Sequence, residues 1–411
     1  MPARLVRFPM LVLGASLLLT APLSSPVFAE NPGAYLAGRA AATDNNYDAA
    51  AEYYAAALLA DPSNRTLQDT TVLMNVARGE FEAALALSKE IGSPPDGSQV
   101  AALMLVADDA KREDWEGMLA RLEDGANIGP VIAGLARAWA YAGQGQISEA
   151  TAQFDKMRSE PSFGQLALYQ KALVLAMVGD FGGAEEIFAS KEGATLSGSR
   201  RGLFARVEVL SQLERNADAI ALIDKVFVID PDPATAEMRA KLEAGETLPF
   251  TAVTSPTEGT AEAFFTIAGA LAGDREEVFS LIYARLGEYL RPDHVEALLL
   301  TAAILEQHEQ YKLATEAYSR VPADHPSHLA AELGRAEALE SEGKPDAALE
   351  ALKALTKANP DQPLVWSTMA DVYRRQERYK DAIPAYTKLI EITDQNGGAG
   401  WVAYYARGIS Y

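Results

Sequence analysis

The sequence predicts an all-α protein in which paired helices stack into an α-solenoid. Alanines recur at one point of a repeating unit, and many of their spacings are 34 residues: Ala50, Ala84, Ala150, Ala184, Ala219, Ala314, Ala348 and Ala382. Composition agrees, because the chain is 49% apolar, is rich in the strong helix former alanine, and has no long alternating Val/Ile run typical of a sheet. A unit of this length has too small a core to fold alone and must stack on its neighbours.

Other positions of the unit keep the same register. The copy that begins at Pro363 has bulky, small and aromatic residues at regular places, namely Trp366, Met369, Ala370, Tyr373, Tyr379, Ala382 and Tyr386. In this pattern the chain resembles the tetratricopeptide repeat family. The resemblance implies a right-handed solenoid that acts by binding other proteins, with small residues allowing close helix approach and Pro ending the second helix.

The register divides the chain into several parts. Copies begin at Asn31, Arg65, Gln99, Val131, Gln165 and Arg200, which gives an N-terminal array of six repeats over 31–233. Copies at Ala261, Val295, Leu329 and Pro363 give a C-terminal array of four repeats over 261–400. Residues 234–260 between them predict an extra helix and a Pro/Thr-rich segment, which is either a hinge or an insertion packed on the solenoid.

Both ends of the chain differ from the repeats. Arg4 and Arg7 precede a short apolar run, and Ala29 follows as a small-residue cleavage site, so residues 1–29 predict a signal peptide. We expect export, most simply to a bacterial periplasm, with secretion as an alternative and no membrane span after processing. Residues 401–411 match the first helix of an eleventh repeat, which predicts that the native chain continues.

Net charge and cysteine content limit the chemistry and the classes of partner that can be expected. The formal net charge is −21 and no cysteine is present, which excludes disulfides and a thiol nucleophile. A chain this acidic is not expected to bind nucleic acid or an anionic membrane surface. The acidic surface either keeps an Ala-rich solenoid in solution or attracts a basic partner.

In the resembled family, the first helices of the repeats line a concave groove, and in the middle copies the groove positions are apolar. An exposed stripe of this kind would hold a helix or extended peptide by apolar anchors. Packing within the superhelix is the other interpretation of the same side chains. Two arginines of the copy at Pro363 could instead meet a carboxylate. The predicted groove consists of Ile132, Leu135, Trp139, Tyr169, Leu173, Met177, Phe204, Arg374 and Arg375.

The sequence contains no phosphate-binding glycine loop, no nucleophile elbow and no His placed to serve a Ser. The segment with Asp324, His325 and His328 has ligands at short spacing but no assured third or fourth zinc ligand, so we expect neither metal nor cofactor. The leading hypothesis is a non-catalytic exported scaffold that binds a peptide or protein, with envelope assembly or polymer export as its candidate setting. The alternatives are a substrate-selecting arm of an enzyme whose catalytic domain lies beyond Tyr411, and a self-assembling spacer. The partner's identity is not encoded in these patterns.

Overall fold

A computed structural model describes residues 31–159, 163–226, 233–272, 277–395 and 400–411. Its regular structure in these ranges is helical, with α-helices α1–α22 and one 3-10 helix. The predicted signal peptide, residues 1–29, lies outside the described residues.

Six helix pairs form the first part of the chain. They are α1 Pro32–Thr43 and α2 Tyr47–Ala60, α3 Arg65–Arg78 and α4 Phe81–Ile91, α5 Gln99–Lys111 and α6 Trp115–Glu123, α7 Pro130–Gly143 and α8 Ile147–Arg158, α9 Gly164–Met177 and α10 Phe181–Ala189, then the 3-10 helix Gly193–Gly198, and α11 Arg200–Gln212 with α12 Asn216–Val226.

A single helix separates these pairs from four more. The single helix is α13 Pro233–Glu243, and the pairs are α14 Pro256–Leu271 and α15 Glu277–Leu290, α16 Val295–Gln307 and α17 Tyr311–Ser319, α18 His328–Ser341 and α19 Pro345–Ala358, and α20 Pro363–Arg375 and α21 Tyr379–Gln395. The last helix is α22 Trp401–Ile409, which packs on α21. The fold class is the predicted all-α solenoid of helix pairs.

The periodic alanines lie where the second helix of each pair crosses the first. All eight, from Ala50 to Ala382, have no solvent-accessible surface. The tight turn before the second helix repeats as well, because in nine of the ten pairs a residue in the left-handed region follows the first helix; the turn between α14 and α15 lies outside the described residues. These residues are Asn45, Gly79, Glu113, Gly145, Gly179, Glu214, Glu309, Gly343 and Glu377. Close helix approach and these sharp turns therefore build the solenoid.

Helix starts are set by short polar side chains. Asn46, Asn64, Ser98 and Ser255 each accept a hydrogen bond from the backbone amide three residues later. These contacts satisfy amide groups that have no partner inside the helix.

The array closes on itself instead of remaining an open superhelix. The hairpin α14–α15 lies against the first helices α3, α5, α7 and α9 of the N-terminal pairs. Beyond the hairpin, α16 and α17 return to the first repeat, where the Tyr47 hydroxyl lies 2.6 Å from His308 Nδ1 and Lys312 Nζ donates to Asp48 at 2.9 Å. One apolar core consequently extends from Tyr47 into α18, while α18–α21 share a second core.

Candidate partner-binding surfaces

The N-terminal groove, formed by the first helices α3, α5, α7 and α9, is filled by the hairpin α14–α15. The closest approach is between Trp139 of α7 and Gly259 of α14. A Cβ atom at position 259 would lie 2.3 Å from the indole ring, so only glycine leaves room for the tryptophan. The indole Nε1 donates to Gln170 Oε1 at 2.8 Å, which satisfies its one polar atom. Trp139 is therefore a core residue in this structure.

Polar contacts hold the same hairpin in the groove. Each pairs a hairpin side chain or carbonyl with the end of an N-terminal first helix: Arg285 Nε to the Ala77 carbonyl at 3.1 Å, Tyr289 hydroxyl to Asp108 Oδ1 at 3.0 Å, Thr257 hydroxyl to the Ala110 carbonyl at 3.0 Å, and Lys111 Nζ to the Tyr289 carbonyl at 2.8 Å. Because the polar groups are paired, the hairpin is seated by specific contacts as well as by apolar burial.

This packing corrects the prediction of an exposed apolar stripe. Five of the predicted groove residues are buried, because the helices that carry them, α7 and α9, pack against α14: Ile132, Leu135, Trp139, Tyr169 and Leu173. Met177 and Phe204 are half-buried. The predicted residues lie on first helices, but the prediction that they form an exposed stripe was wrong. Partner binding by these residues stays a prediction, and it requires α14 to leave the groove.

A buried ion cluster joins the hairpin to α11 and α16. Glu262 of α14 accepts hydrogen bonds from Arg201 Nη2 at 2.6 Å and from the Tyr169 hydroxyl at 2.9 Å, and it lies 3.2 Å from His294 Nε2. Arg201 also lies 3.7 Å from Glu296. The cluster therefore contains two carboxylates, a guanidinium, an imidazole and a phenol.

The pKa values in this cluster follow from burial and charge together. Burial alone would raise the pKa of Glu262, but Arg201 and His294 hold that pKa far below its ordinary value. Burial would lower the pKa of Arg201, and Glu262 and Glu296 raise it instead. Burial and the neighbouring Glu262 charge raise the pKa of Tyr169. Glu262 is therefore a carboxylate and Tyr169 a neutral phenol at neutral pH.

The segment before α14 is packed on the solenoid, which is one of the two alternatives that the sequence left open. Val253 has no exposed surface, and Leu248 is 7% exposed. Glu208 of α11 accepts hydrogen bonds from the Thr251 amide at 2.8 Å and the Thr251 hydroxyl at 2.6 Å. Arg201 Nη2 donates to the Ala252 carbonyl at 3.0 Å. Since both side chains and backbone are engaged, this segment is a docked insertion and not a free hinge.

A cavity of about 530 Å³, here called the junction cavity, lies where these elements meet. It is open to solvent and is bordered by α9, the 3-10 helix and the start of α11 on one side and by α14 and the start of α16 on the other. Tyr169 is the one residue of the predicted groove that lines it. Phe204 lines a neighbouring cavity of about 400 Å³ that shares Arg200, Arg201 and Glu296 with the first.

The C-terminal pairs carry a second surface, which we call the C-terminal face. Carboxylates from three successive first helices approach one another there: Glu306 of α16, Glu337 and Glu340 of α18, and Asp371 of α20. Burial raises the pKa of Glu306 and the charge of Glu337 raises it further, although a hydrogen bond from the Tyr318 hydroxyl at 2.9 Å opposes the shift. The pKa of Glu337 is raised by burial and by Glu340 and Asp371, although Arg375 opposes the shift. Negative charge is therefore concentrated along this face.

The two predicted arginines lie on this face and already have carboxylate partners in the chain. Arg375 Nε donates to Glu340 Oε1 at 2.7 Å. Arg374 Nε donates to the Tyr386 hydroxyl at 3.1 Å, and its Nη2 lies 3.4 Å from Asp371. Glu337, in contrast, has no hydrogen bond or ion pair with any residue in the described ranges. Sequence analysis missed Glu306 and Glu337, although both fall at first-helix groove positions of their copies.

Apolar side chains complete the C-terminal face. Val402, Tyr405 and Ile409 of α22 occupy the repeat positions that Leu364, Ser367 and Asp371 occupy in α20. Leu364 and the three side chains of α22 are each more than half exposed. The face therefore combines carboxylates with exposed apolar groups, which is the composition of an interaction surface for an amphipathic segment.

Neither a metal centre nor a membrane helix is found in the described part of the chain. His325 Nδ1 accepts from the Ser327 amide, and His328 Nδ1 lies 3.2 Å from the Val321 carbonyl, so both rings are used by local turns. Across the described ranges, no group of three or more His, Asp or Glu side chains is arranged to hold a metal ion. None of the described helices combines the length and apolar composition required to cross a membrane.

Comparison with known families identifies the repeats. Models described as tetratricopeptide repeat match residues 33–64, 305–363 and 333–397, which cover the first helix pair and the helices from α17 to α21. The chain is a tetratricopeptide repeat protein. A search of curated proteins gave no match for it.

Solved structures are similar to this tetratricopeptide repeat protein at low identity and low TM-score. A tetratricopeptide repeat protein from Parabacteroides merdae is 13% identical over 67% of this chain and 97% of its own, with a TM-score of 0.30. The yeast Tom70 structure is 12% identical over 93% and 81%, with a TM-score of 0.32. The APC/C hetero-tetramer Cut9-Hcn1 is 14% identical over 92% and 83%, with a TM-score of 0.29. Likenesses of this size support no inference about partners.

Proposed function

We propose that this tetratricopeptide repeat protein is a non-catalytic scaffold that binds a basic, amphipathic segment of a partner protein on the C-terminal face. One observation carries the proposal. The N-terminal groove is occupied by the chain's own hairpin, while the C-terminal face presents exposed apolar side chains beside two carboxylates, Glu306 and Glu337, that form no ion pair with the described residues.

Charge complementarity selects a basic partner. The charge of Glu337 raises the pKa of Glu306, and the charges of Glu340 and Asp371 raise the pKa of Glu337, which means that neighbouring carboxylates on this face disfavour one another's charge. A lysine or arginine placed between them would relieve this repulsion, and the net charge of −21 would speed the approach of a basic segment. Val402, Tyr405 and Ile409 would cover the apolar side of such a segment.

The place of action is part of the proposal. Residues 1–29 have the pattern of a signal peptide, so we infer export, with a bacterial periplasm as the compartment. A scaffold there could hold a basic segment during envelope assembly or polymer export.

Peptide binding to the full chain tests the proposal. The ligand is a fluorescein-labelled amphipathic helix of leucine and lysine, and a companion peptide carries glutamate in place of lysine. Fluorescence anisotropy should show binding of the lysine peptide alone. Replacing Glu306→Gln together with Glu337→Gln should weaken it about tenfold, because two partly screened charge contacts are lost.

A matched control separates specific binding from attraction by net charge. Glu350→Gln with Glu391→Gln removes the same charge from the exposed sides of α19 and α21 and should change affinity less than about twofold. Val402→Ser with Tyr405→Ser should also weaken binding. Equal losses in the control and the Glu306/Glu337 variant, or binding of the glutamate peptide, would contradict the proposed face.

A further inference from the structure

The junction cavity has the size of a small-molecule site and is separate from the C-terminal face. Its volume of about 530 Å³ lies within the range of roughly 300–1,000 Å³ that ligand pockets usually have. It opens between the N-terminal array and the hairpin, which the ion cluster at Glu262 holds together. The walls therefore belong to helices and to the residues at their ends, and not to a loose surface loop.

The walls of the cavity are mainly apolar. Leu166 and Tyr169 of α9 and Leu196 of the 3-10 helix form one side, and Phe265 of α14 forms the other. Apolar surface of this kind gains free energy when a ligand removes it from water.

The polar side chains of the walls already have partners inside the protein. Gln165 Nε2 donates to the Glu192 carbonyl at 2.9 Å, the Thr195 hydroxyl to Gln165 Oε1 at 3.0 Å, and the Thr266 hydroxyl to the Glu262 carbonyl at 2.7 Å. Ser199 Oγ accepts from the Gly202 amide at 3.1 Å. These groups do not require a polar ligand, because their hydrogen bonds are made without one.

The charges of the walls are also neutralised internally. Arg201 is paired with Glu262 and lies near Glu296, so two carboxylates face one guanidinium and the adjacent His294. The Arg200 guanidinium lies over the Phe204 ring, 4.5 Å from its centroid, and with it the four charged side chains of the walls carry two positive and two negative charges. A charged ligand would have to give up its hydration without gaining an unpaired counter-ion from these groups.

Gly269 of α14 keeps part of the space open. It lines the cavity, and a Cβ atom built on it would have no other atom within 4 Å. A larger side chain at this position would therefore enter the cavity without colliding with the wall. The same geometry gives a way to fill the site while leaving the fold intact.

We infer that the junction cavity binds an uncharged, apolar small molecule, such as an aromatic or short hydrocarbon compound, between the Leu196 and Phe265 walls. Binding would remove apolar wall surface from water and break no hydrogen bond of the protein. Binding at this cavity involves none of the residues of the C-terminal face. Either proposal can therefore be refuted without refuting the other.

The test uses N-phenyl-1-naphthylamine, an uncharged dye whose emission rises and shifts to shorter wavelength in apolar surroundings. Titration of the full chain should show saturable binding. Gly269→Leu should weaken dye binding at least tenfold without lowering the thermal unfolding midpoint, because leucine fills the cavity and is a better helix former than glycine. Leu166→Gln should weaken it about fivefold by making one wall polar.

Gly182→Leu in α10 is the matched control. The substitution is the same, its Cβ would meet only Asp180 Oδ1 at 3.8 Å, and the position does not line the junction cavity. Dye affinity within about twofold of the unsubstituted chain is expected. The inference is overturned if the dye does not bind up to its solubility, if Gly269→Leu leaves its affinity unchanged, or if Gly182→Leu weakens it equally. In each case lysine-peptide binding at the C-terminal face would be measured separately.

Discussion

Replacing Glu262→Gln tests whether the buried ion cluster holds the hairpin α14–α15 in the N-terminal groove. The Glu262 side chain is 1% exposed and accepts hydrogen bonds from Arg201 and Tyr169, with His294 Nε2 at 3.2 Å. Glutamine has nearly the same shape but no charge. It would leave the Arg201 guanidinium buried with only the more distant Glu296 carboxylate, at 3.7 Å, as a counter-ion.

The expected loss of stability is large. Removing one partner of a buried ion pair costs about 3–5 kcal/mol, because the remaining charge stays buried without compensation. Glu296 and the retained amide oxygen of glutamine place the expected loss near the lower limit, at about 3 kcal/mol. The pKa of Glu262 is held below its usual value, so its contribution is fully present above the unfolded-state pKa, about 4.3, and is lost as pH falls through the lower folded-state pKa. The difference between the two proteins should therefore shrink in acid.

Urea denaturation followed by circular dichroism and tryptophan fluorescence measures this loss at neutral and acidic pH. Using both signals matters, because release of the hairpin before global unfolding would appear as two transitions. Asp224→Asn is the control: it removes a carboxylate that accepts two hydrogen bonds from Arg239 at the surface, and little change is expected. The reasoning is refuted if Glu262→Gln destabilises no more than Asp224→Asn, or if its effect does not depend on pH.

Two further substitutions test the packing of the groove itself. Trp139→Ala should destabilise the chain by about 3–5 kcal/mol in urea denaturation, because a fully buried indole and its hydrogen bond to Gln170 are lost. A loss of stability below about 1 kcal/mol would show that the side chain is not in the core. Gly259→Ala should destabilise by about 1–3 kcal/mol, because its Cβ would lie 2.3 Å from the Trp139 ring, and an unchanged unfolding midpoint would refute the close approach of α14.

The repeat architecture could be predicted from the sequence because it depends on local packing. The alanine period places a small side chain at each helix crossing, and every one of those alanines is buried. Local period also locates the turns, since the left-handed residues at Gly79, Glu113 and Gly343 fall at the same point of their units. These features involve residues close in sequence, whose spacing is visible in a single chain.

The filled groove could not be predicted in the same way, because its contacts join residues far apart in sequence, such as Tyr169 and Glu262, 93 positions apart, and Ala77 and Arg285, 208 positions apart. Nothing in the local sequence around Trp139 or Gly259 indicates that these two residues pack against each other. One signal was present in α14, which is apolar on nearly all sides and has Glu258 and Glu262 as its only charged residues. A helix of that kind is buried on all sides and not on one stripe. The C-terminal face could not be predicted for another reason. Glu306 and Glu337 lie on different helices, α16 and α18, and the charge of Glu337 reaches Glu306 only once these helices are folded into the array.

The hairpin α14–α15 changes how the repeats can act. A partner for the N-terminal groove would compete with a tethered helix pair, whose effective concentration is of the order of millimolar or more for short linkers and which is held by buried ion and hydrogen bonds. A partner of the C-terminal face would displace only water. The helices α18–α21 also retain their own apolar core, so a change at that face need not disturb the closed part of the chain. On these energetic grounds, partner binding is favoured at the C-terminal face over the groove that the hairpin occupies.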